Sequence, residues 1–326
     1  MKKNNNYKPR FHWVYFLPIL VLLSCEKQEI AIKPHDPGNV ITSSIKLEND
    51  YRYQVFFDLE TNKVVARNLK TEWDLAFDCS LNGNKVILNS AKYMRAANTQ
   101  STNFAAINDT TGYEFKIDMP SGNLDSTAIG NWTPNNVYII EGGFNELGQH
   151  LGFYKFEIIA ASTSQFQVHF AKLDGTNDFT MTIPKDNNYN FTFLSFAGTI
   201  KNIEPPKEDW DLMFTQYTHY YYDLGTSYLV TGCVTNRHKV LTANVFNKPF
   251  ESINFDDINQ YVFYNNINRI GFEWKEYNYN TGVYEIFYDM NYIIKSTEEK
   301  YFKLHFIDFY DTFGVKGTPV FEFQEL

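Results

Sequence analysis

Apolar and polar residues alternate along most of this chain in short runs, and no long segment carries the three-to-four spacing of an amphipathic helix. Gln54-Val55-Phe56-Phe57-Asp58-Leu59 and Phe153-Tyr154-Lys155-Phe156-Glu157-Ile158 are such runs, and residues 165–170 and 301–306 alternate strictly. Period two places successive side chains on opposite faces of a half-buried strand. Turn signals separate the runs: Asn82-Gly83, Asp174-Gly175, and Thr281-Gly282 with Asn280 ahead of it. The pattern predicts an all-β protein built of antiparallel sheets. Its one helical expectation is a capped turn within 254–260, carried by Asn254-Phe255-Asp256-Asp257-Ile258.

The N-terminus reads differently. Lys2, Lys3, Lys8 and Arg10 precede an apolar run over 14–23 that is interrupted by Pro18 and ends Leu22-Leu23-Ser24-Cys25. A basic segment, a short apolar stretch and a small residue before cysteine form a lipoprotein signal, cut ahead of Cys25, whose thiol then carries the lipid. The apolar run is half the ~20 residues of a spanning helix. Acids and Pro34, Pro37 and Gly38 follow, so 25–45 is expected to be a flexible tether and 1–24 the signal peptide. Acylation at Cys25 would hold the protein on a membrane, at the outer membrane or cell surface.

An internal repeat organises the rest. Glu72-Trp73-Asp74-Leu75-Ala76-Phe77 matches Asp209-Trp210-Asp211-Leu212-Met213-Phe214 at an offset of 137 (73 to 210), each preceded by a strand and loop, 53–65 and 189–200. Phe166 to Phe170 matches Phe302 to Phe306 at an offset of 136 (166 to 302). Two matches in one order at nearly one spacing predict two related halves, 46–186 and 187–326, standing as adjacent β domains. In Trp-Asp-Leu-x-Phe the apolar residues at one, three and five should share the core face, leaving Asp on the other to accept backbone or tyrosine donors.

Removal of 24 residues from 326 leaves 302, room for two domains. A net charge of −9 argues against nucleic acid as partner. Aromatics are 17% of residues, supplying both strands and binding surfaces. Cys79 and Cys233 read as two buried thiols in preference to a bridge. No nucleophile elbow, zinc-protease helix, P-loop or dinucleotide fingerprint occurs, so no enzyme is expected. Asp174-Gly175-Thr176-Asn177-Asp178 has calcium-loop flavour but lacks the closing Glu, and reads as a hairpin turn.

The order of these parts resembles the HmuY family of heme-binding bacterial lipoproteins. The resemblance rests on the lipobox, the hairpin over 58–65, the Glu-Trp-Asp-Leu-Ala-Phe strand and the Leu81-Asn82-Gly83 turn. It continues in the closing run from Tyr292-Ile293-Ile294-Lys295-Ser296 through 301–310, Lys316-Gly317-Thr318-Pro319 and Phe321-Glu322-Phe323. It covers most of 46–326, with a tandem pair of family domains as a departure. It implies an all-β fold that holds heme between loops, iron ligated by two histidines or by methionine, and delivery to an outer-membrane uptake receptor. The stretches corresponding to the ligand position, 141–144 and 275–278, hold neither His nor Met; Tyr277 and Tyr279 lie at the second, and tyrosinate binds ferric heme.

Of the histidines, His12 lies in the leader, His35 in the tether and His150 in a loop, while His169 and His305 fall at matching repeat positions and suggest a role in the fold. His219 sits in Gln216-Tyr217-Thr218-His219-Tyr220-Tyr221-Tyr222 and His238 follows Asn236-Arg237, so His219, His238 and Tyr277 are the candidate heme ligands. The alternative is a surface glycan- or protein-binding lipoprotein that keeps the fold without heme, since aromatic platforms serve sugars as well as porphyrins.

Overall fold

Twenty strands take up the alternating runs among residues 38–326, the part of the chain described by the computed structural model. They are β1 (Ile41–Ser44), β2 (Tyr53–Asp58), β3 (Lys63–Leu69), β4 (Leu75–Asp78), β5 (Val86–Leu88), β6 (Arg95–Asn98), β7 (Val137–Glu141), β8 (Phe153–Ala161), β9 (Gln165–Lys172) and β10 (Phe179–Pro184). There follow β11 (Phe191–Ser195), β12 (Thr199–Lys201), β13 (Leu212–Tyr221), β14 (Thr226–Thr235), β15 (Leu241–Val245), β16 (Lys275–Asn278), β17 (Val283–Ile286), β18 (Asn291–Lys295), β19 (Tyr301–Tyr310) and β20 (Lys316–Glu325). The expected signal peptide, Cys25 and the tether as far as residue 37 lie outside the described residues. Among the described residues no helix is long and apolar enough to cross a membrane. The capped turn at 254–260 is a short 3-10 helix, Phe255–Gln260, closed by a reciprocal pair in which the Asn254 side chain accepts from Asp256 N and the Asp257 carboxylate accepts from Asn254 N.

The strands form two lobes. In the first, the sheet β12-β11-β4-β5 faces the sheet β10-β9-β8-β7-β6 across a core that includes Phe77, Tyr138, Phe156, Phe166 and Phe170. In the second, β14-β13-β2-β3 faces β1-β20-β19-β18-β15 across a core that includes Phe57, Phe214, Trp274, Phe306 and Phe321. The hairpin of β16 and β17 is a separate two-stranded ribbon that packs on the second core through Tyr284 and Ile286.

The boundary expected at 186/187 does not separate two self-contained sheets. The hairpin β2–β3, which precedes β4 in sequence, pairs instead with β13, and the hairpin β11–β12, which precedes β13, pairs with β4. The registers are reciprocal: Leu212 lies opposite Phe57 and Leu75 opposite Leu194, so both partners shift together by 137 residues (75 to 212, 57 to 194). The offset read in the sequence thus reappears as a swap of hairpins, and the described residues belong to one compact unit. A third pairing, β1 with β20, also joins the two ends of the chain.

The Trp-Asp-Leu-x-Phe repeat divides its apolar residues differently from the expectation. Leu75 and Phe77 enter the first core and Leu212 and Phe214 the second, but Trp73 and Trp210 both go to a separate cluster between the lobes, with Phe56, Phe191, Phe193 and Ile203. Each Trp precedes its strand rather than belonging to it, so strand alternation does not govern its direction. The Asp does accept backbone donors: Asp74 from Phe196 N (2.6 Å) and Asp211 from Leu59 N (3.0 Å) and Thr297 N (2.8 Å).

His169 and His305 are not equivalent positions. Lys155 on β8 donates to Phe104 O and Ile107 O, and Lys303 on β19 donates to Phe250 O and Ile253 O, so β8 corresponds to β19 in its sheet. His169 stands on the neighbouring β9, bonded to Glu157 (2.8 Å); His305 stands on β19 itself, bonded to Glu322 (3.1 Å). The same cross-strand His–Glu pair occurs in both lobes with its members exchanged, each imidazole stacked on a phenyl ring, Phe104 or Phe250. A role in the fold is therefore served by both. Cys79 and Cys233 are both free and buried, the second within the second lobe's core.

Candidate functional site

Strand β13 carries one face from the centre of the molecule to its surface. Met213, Thr215, Tyr217, His219 and Tyr221 follow at every second position and share that face. At the inner end Met213, Thr215 and Tyr217 line a cavity between the lobes of about 120 Å3, together with Phe56, Trp73 and Trp210. Its aromatic walls pack edge to face, Trp73 on Phe193 and Trp210 on Phe56, both with centroids 4.9 Å apart. A porphyrin needs a site in the ~300–1,000 Å3 class, so the cavity does not admit one.

At the outer end stands His219. Its ring meets Tyr221 at 4.8 Å and Phe272 at 5.0 Å, both edge-on. Nδ1 is buried and has no hydrogen-bond partner. Burial pushes the imidazole pKa down, against the opposing pull of Glu273, which favours the neutral ring that a metal needs. Every other described histidine is held by a carboxylate: His150 by Glu141, His169 by Glu157 and Asp178, His238 by Glu208, His305 by Glu322.

The two hairpins around His219 expose a tyrosine-rich surface. Tyr222, Tyr228 and Tyr279 are 72%, 65% and 91% exposed. Tyr277 pairs with Tyr284 across β16–β17 and its ring lies 5.2 Å from those of Tyr279 and Tyr284. Tyr228 and Tyr279 both act electrostatically on the Tyr221 phenol, and Tyr228 and Tyr277 on that of Tyr284, so the tip of β13–β14 and the β16–β17 ribbon are neighbours. The structure therefore brings His219 and Tyr277 to adjoining elements.

His238 it places elsewhere. Leu212 pairs with Thr235 at one end of the β13–β14 hairpin, with His238 just beyond, while His219 pairs with Tyr228 towards the other end. The seven positions between Leu212 and His219 span ~23 Å at ~3.3 Å each. His238 Nε2 is also committed to Glu208 Oε1 at 2.7 Å. It cannot share one heme iron with His219.

Several features had no sequence signal. Phe272 and Glu273 come to His219 from a loop. An open groove of about 490 Å3 lies between Tyr51, Lys70, Tyr93, Phe144, Gln216 and Tyr228, drawn from six separate stretches of chain. Asp58, Glu60 and Asp211 bring carboxylate oxygens within 4.8 Å of one another, and among the described residues they are the group placed to share a cation. Burial and the neighbouring Asp211 push Glu60 up to about 8, and Ser296 Oγ donates to it. Lys275, in the stretch corresponding to the family ligand position, is buried against the Trp274 and Phe309 rings, donates to Thr231 O, and is pushed down to about 7 by burial.

The chain matches the family profile described as HmuY protein over residues 50–323. It belongs to the HmuY family. That single match spans both lobes. Among solved structures the chain is similar to apo PinO from Porphyromonas gingivitis, at 10% identity over 88% of this chain and 98% of that one, with a TM-score of 0.33. It is also similar to the apo HmuY analog TFO of Tannerella forsythia (10% identity, 89% and 98% covered, TM-score 0.26) and to a protein from Bacteroides vulgatus named a putative HmuY_like heme binding protein (13%, 87% and 90%, 0.22). Superpositions this loose locate no residue. No curated protein matches the chain.

Proposed function

We propose that this HmuY-family protein binds heme, or a similarly flat ligand, on the tyrosine-rich surface at the tip of β13–β14, with His219 as axial ligand. The supporting observation is that His219 is the described histidine with no carboxylate partner, its Nδ1 orphaned and its ring favoured neutral within aromatic walls. A porphyrin face packs on aromatic rings while a neutral imidazole ligates the iron. Tyr277 is the second candidate ligand, as a phenolate on the adjoining ribbon. Lipidation at Cys25 would anchor the protein at the cell envelope, where it would pass its ligand to an uptake receptor; binding and release need no covalent chemistry from the protein.

A hemin titration of residues 36–326, followed by Soret absorbance, tests this. A shift that saturates near one equivalent, is lost in His219→Ala and survives in His238→Ala supports the reading; loss in Tyr277→Phe as well would add the second ligand. A broad band without saturation, the same in every variant, overturns it and leaves the exposed tyrosines as a platform for a glycan or protein.

A further inference from the structure

We propose that the cavity between the lobes is a second binding site, which takes a small neutral aromatic molecule presenting a hydrogen-bond acceptor to Trp210 Nε1. Around this cavity the internal repeat holds for the apolar residues and fails for one polar contact. At the offset of 137, Trp73 corresponds to Trp210, Phe56 to Phe193 and Ala66 to Ile203, and all six sit in or against the inter-lobe cluster. The corresponding ring pairs match as well, Trp73 on Phe193 and Trp210 on Phe56.

The polar partner does not follow the repeat. Trp73 Nε1 donates to Gln54 Oε1 at 2.7 Å. Gln54 is itself fixed, accepting from Asn68 Nδ2 (3.1 Å) and donating to Thr215 Oγ1 (3.2 Å). The residue at the corresponding position for Trp210 is Phe191, which offers no acceptor. Trp210 is 5% exposed and its Nε1 is buried without a partner. An indole N–H buried in this way pays its desolvation with no bond in return. Trp210 also lines the cavity, so whatever fills that space is the natural source of the missing acceptor.

Size and charge define the occupant. About 120 Å3 is somewhat below the ~150 Å3 of an apolar cavity that holds benzene, which limits the occupant to a single ring without bulky substituents. Phe56, Trp73, Phe193 and Met213 give it flat and polarisable walls. On the polar side Arg237 faces Glu204 and Asp118, which burial pushes up to about 7 and about 6. The guanidinium and the two carboxyls oppose one another in charge on that wall, which favours an uncharged ligand over an ion of either sign.

The test uses residues 36–326 at neutral pH, tryptophan indole NMR, and two probes of one shape: pyridine, which carries a ring-nitrogen acceptor, and benzene, which does not. The expected result is saturable binding of pyridine with a downfield shift of the Trp210 indole proton, and binding of benzene without that shift. Trp210→Phe should weaken pyridine roughly tenfold relative to benzene. Phe191→Gln, which supplies the acceptor that Gln54 gives Trp73, should move the Trp210 signal downfield with no ligand present and weaken pyridine at least tenfold relative to benzene. It also serves as the check if Trp210→Phe does not fold. A pyridine-to-benzene ratio that neither variant changes, or a Trp210 signal that pyridine does not move, overturns the proposal and leaves water or an unfilled cavity there. Hemin binding at His219 can fail without touching this result, because the two readouts follow different residues.

Discussion

Trp73 meets Phe193 edge to face, ring centroids 4.9 Å apart at 81°, across the seam where the two hairpins are exchanged. The contact ties a residue ahead of β4 to the strand that the second half lends to the first lobe. Trp73→Ala removes a large buried ring from the seam and should cost ~3–5 kcal/mol. Because each lobe contains a hairpin from the other half, the loss should appear in both at once. Denaturation followed by far-UV dichroism and by near-UV aromatic signals should give one coincident transition at lower denaturant; two separated transitions would contradict the interlocked architecture.

Asp74 and Asp211 occupy the same place in the repeat but are balanced differently. Asp74 is bonded to the ammonium of Lys92, whose side chain is 1% exposed. Lys92→Ala strands a buried carboxylate beside an empty volume, and a loss of ~3–5 kcal/mol is expected. Asp74→Asn/Lys92→Met should recover a substantial part of it, as measured by chemical denaturation of the single and double variants.

Asp211 instead stands beside Glu60. Glu60 is raised in the folded protein to about 8 from an ordinary 4.5. Between those values the folded state holds a proton that the unfolded state has released, so this group's contribution to stability falls as pH rises from about 4.5 to about 8. Glu60→Gln keeps the shape without the titration. Its Tm should decline less than that of the wild type across that window; parallel curves would contradict the shifted carboxyl.

At His219 the sign is the opposite. A lowered pKa means the ring stays neutral to more acidic pH than a free imidazole, whose value is 6.5. Hemin binding through this imidazole should therefore persist below pH 6.5 and weaken only at lower pH. Soret titrations at several pH values would check it: a midpoint at or above 6.5 argues for a different ligand.

The alternation of residues such as 165–170 and 301–306 was enough to read an all-β chain, because facing sheets impose period two on every inner strand. That same uniformity misled the second repeat match. Strands β9 and β19 look alike since any sandwich strand does, and only the paired roles of Lys155 and Lys303 show which positions correspond. Trp73 and Trp210 carried the true offset, but nothing local says that a hairpin pairs with the more distant of two similar strands. At the site, His219 among tyrosines was legible as composition. Its orphaned nitrogen, the Glu208 that occupies His238, and the loop that brings Phe272 are matters of tertiary contact and have no sequence signature.

The exchange of hairpins also sets an order of assembly. A chain emerging from its N-terminus delivers β2–β3 first, yet their partner β13 begins only at Leu212. Strands β4 to β12 form a continuous stretch that can close the first lobe as soon as it is complete, with the early hairpin still waiting. The second lobe closes last, when β20 arrives to cover β1. A chain cut between β12 and β13 would therefore carry a finished lobe and a sticky, unpaired ribbon, and until β13 is made that ribbon stays open to pairing with other chains.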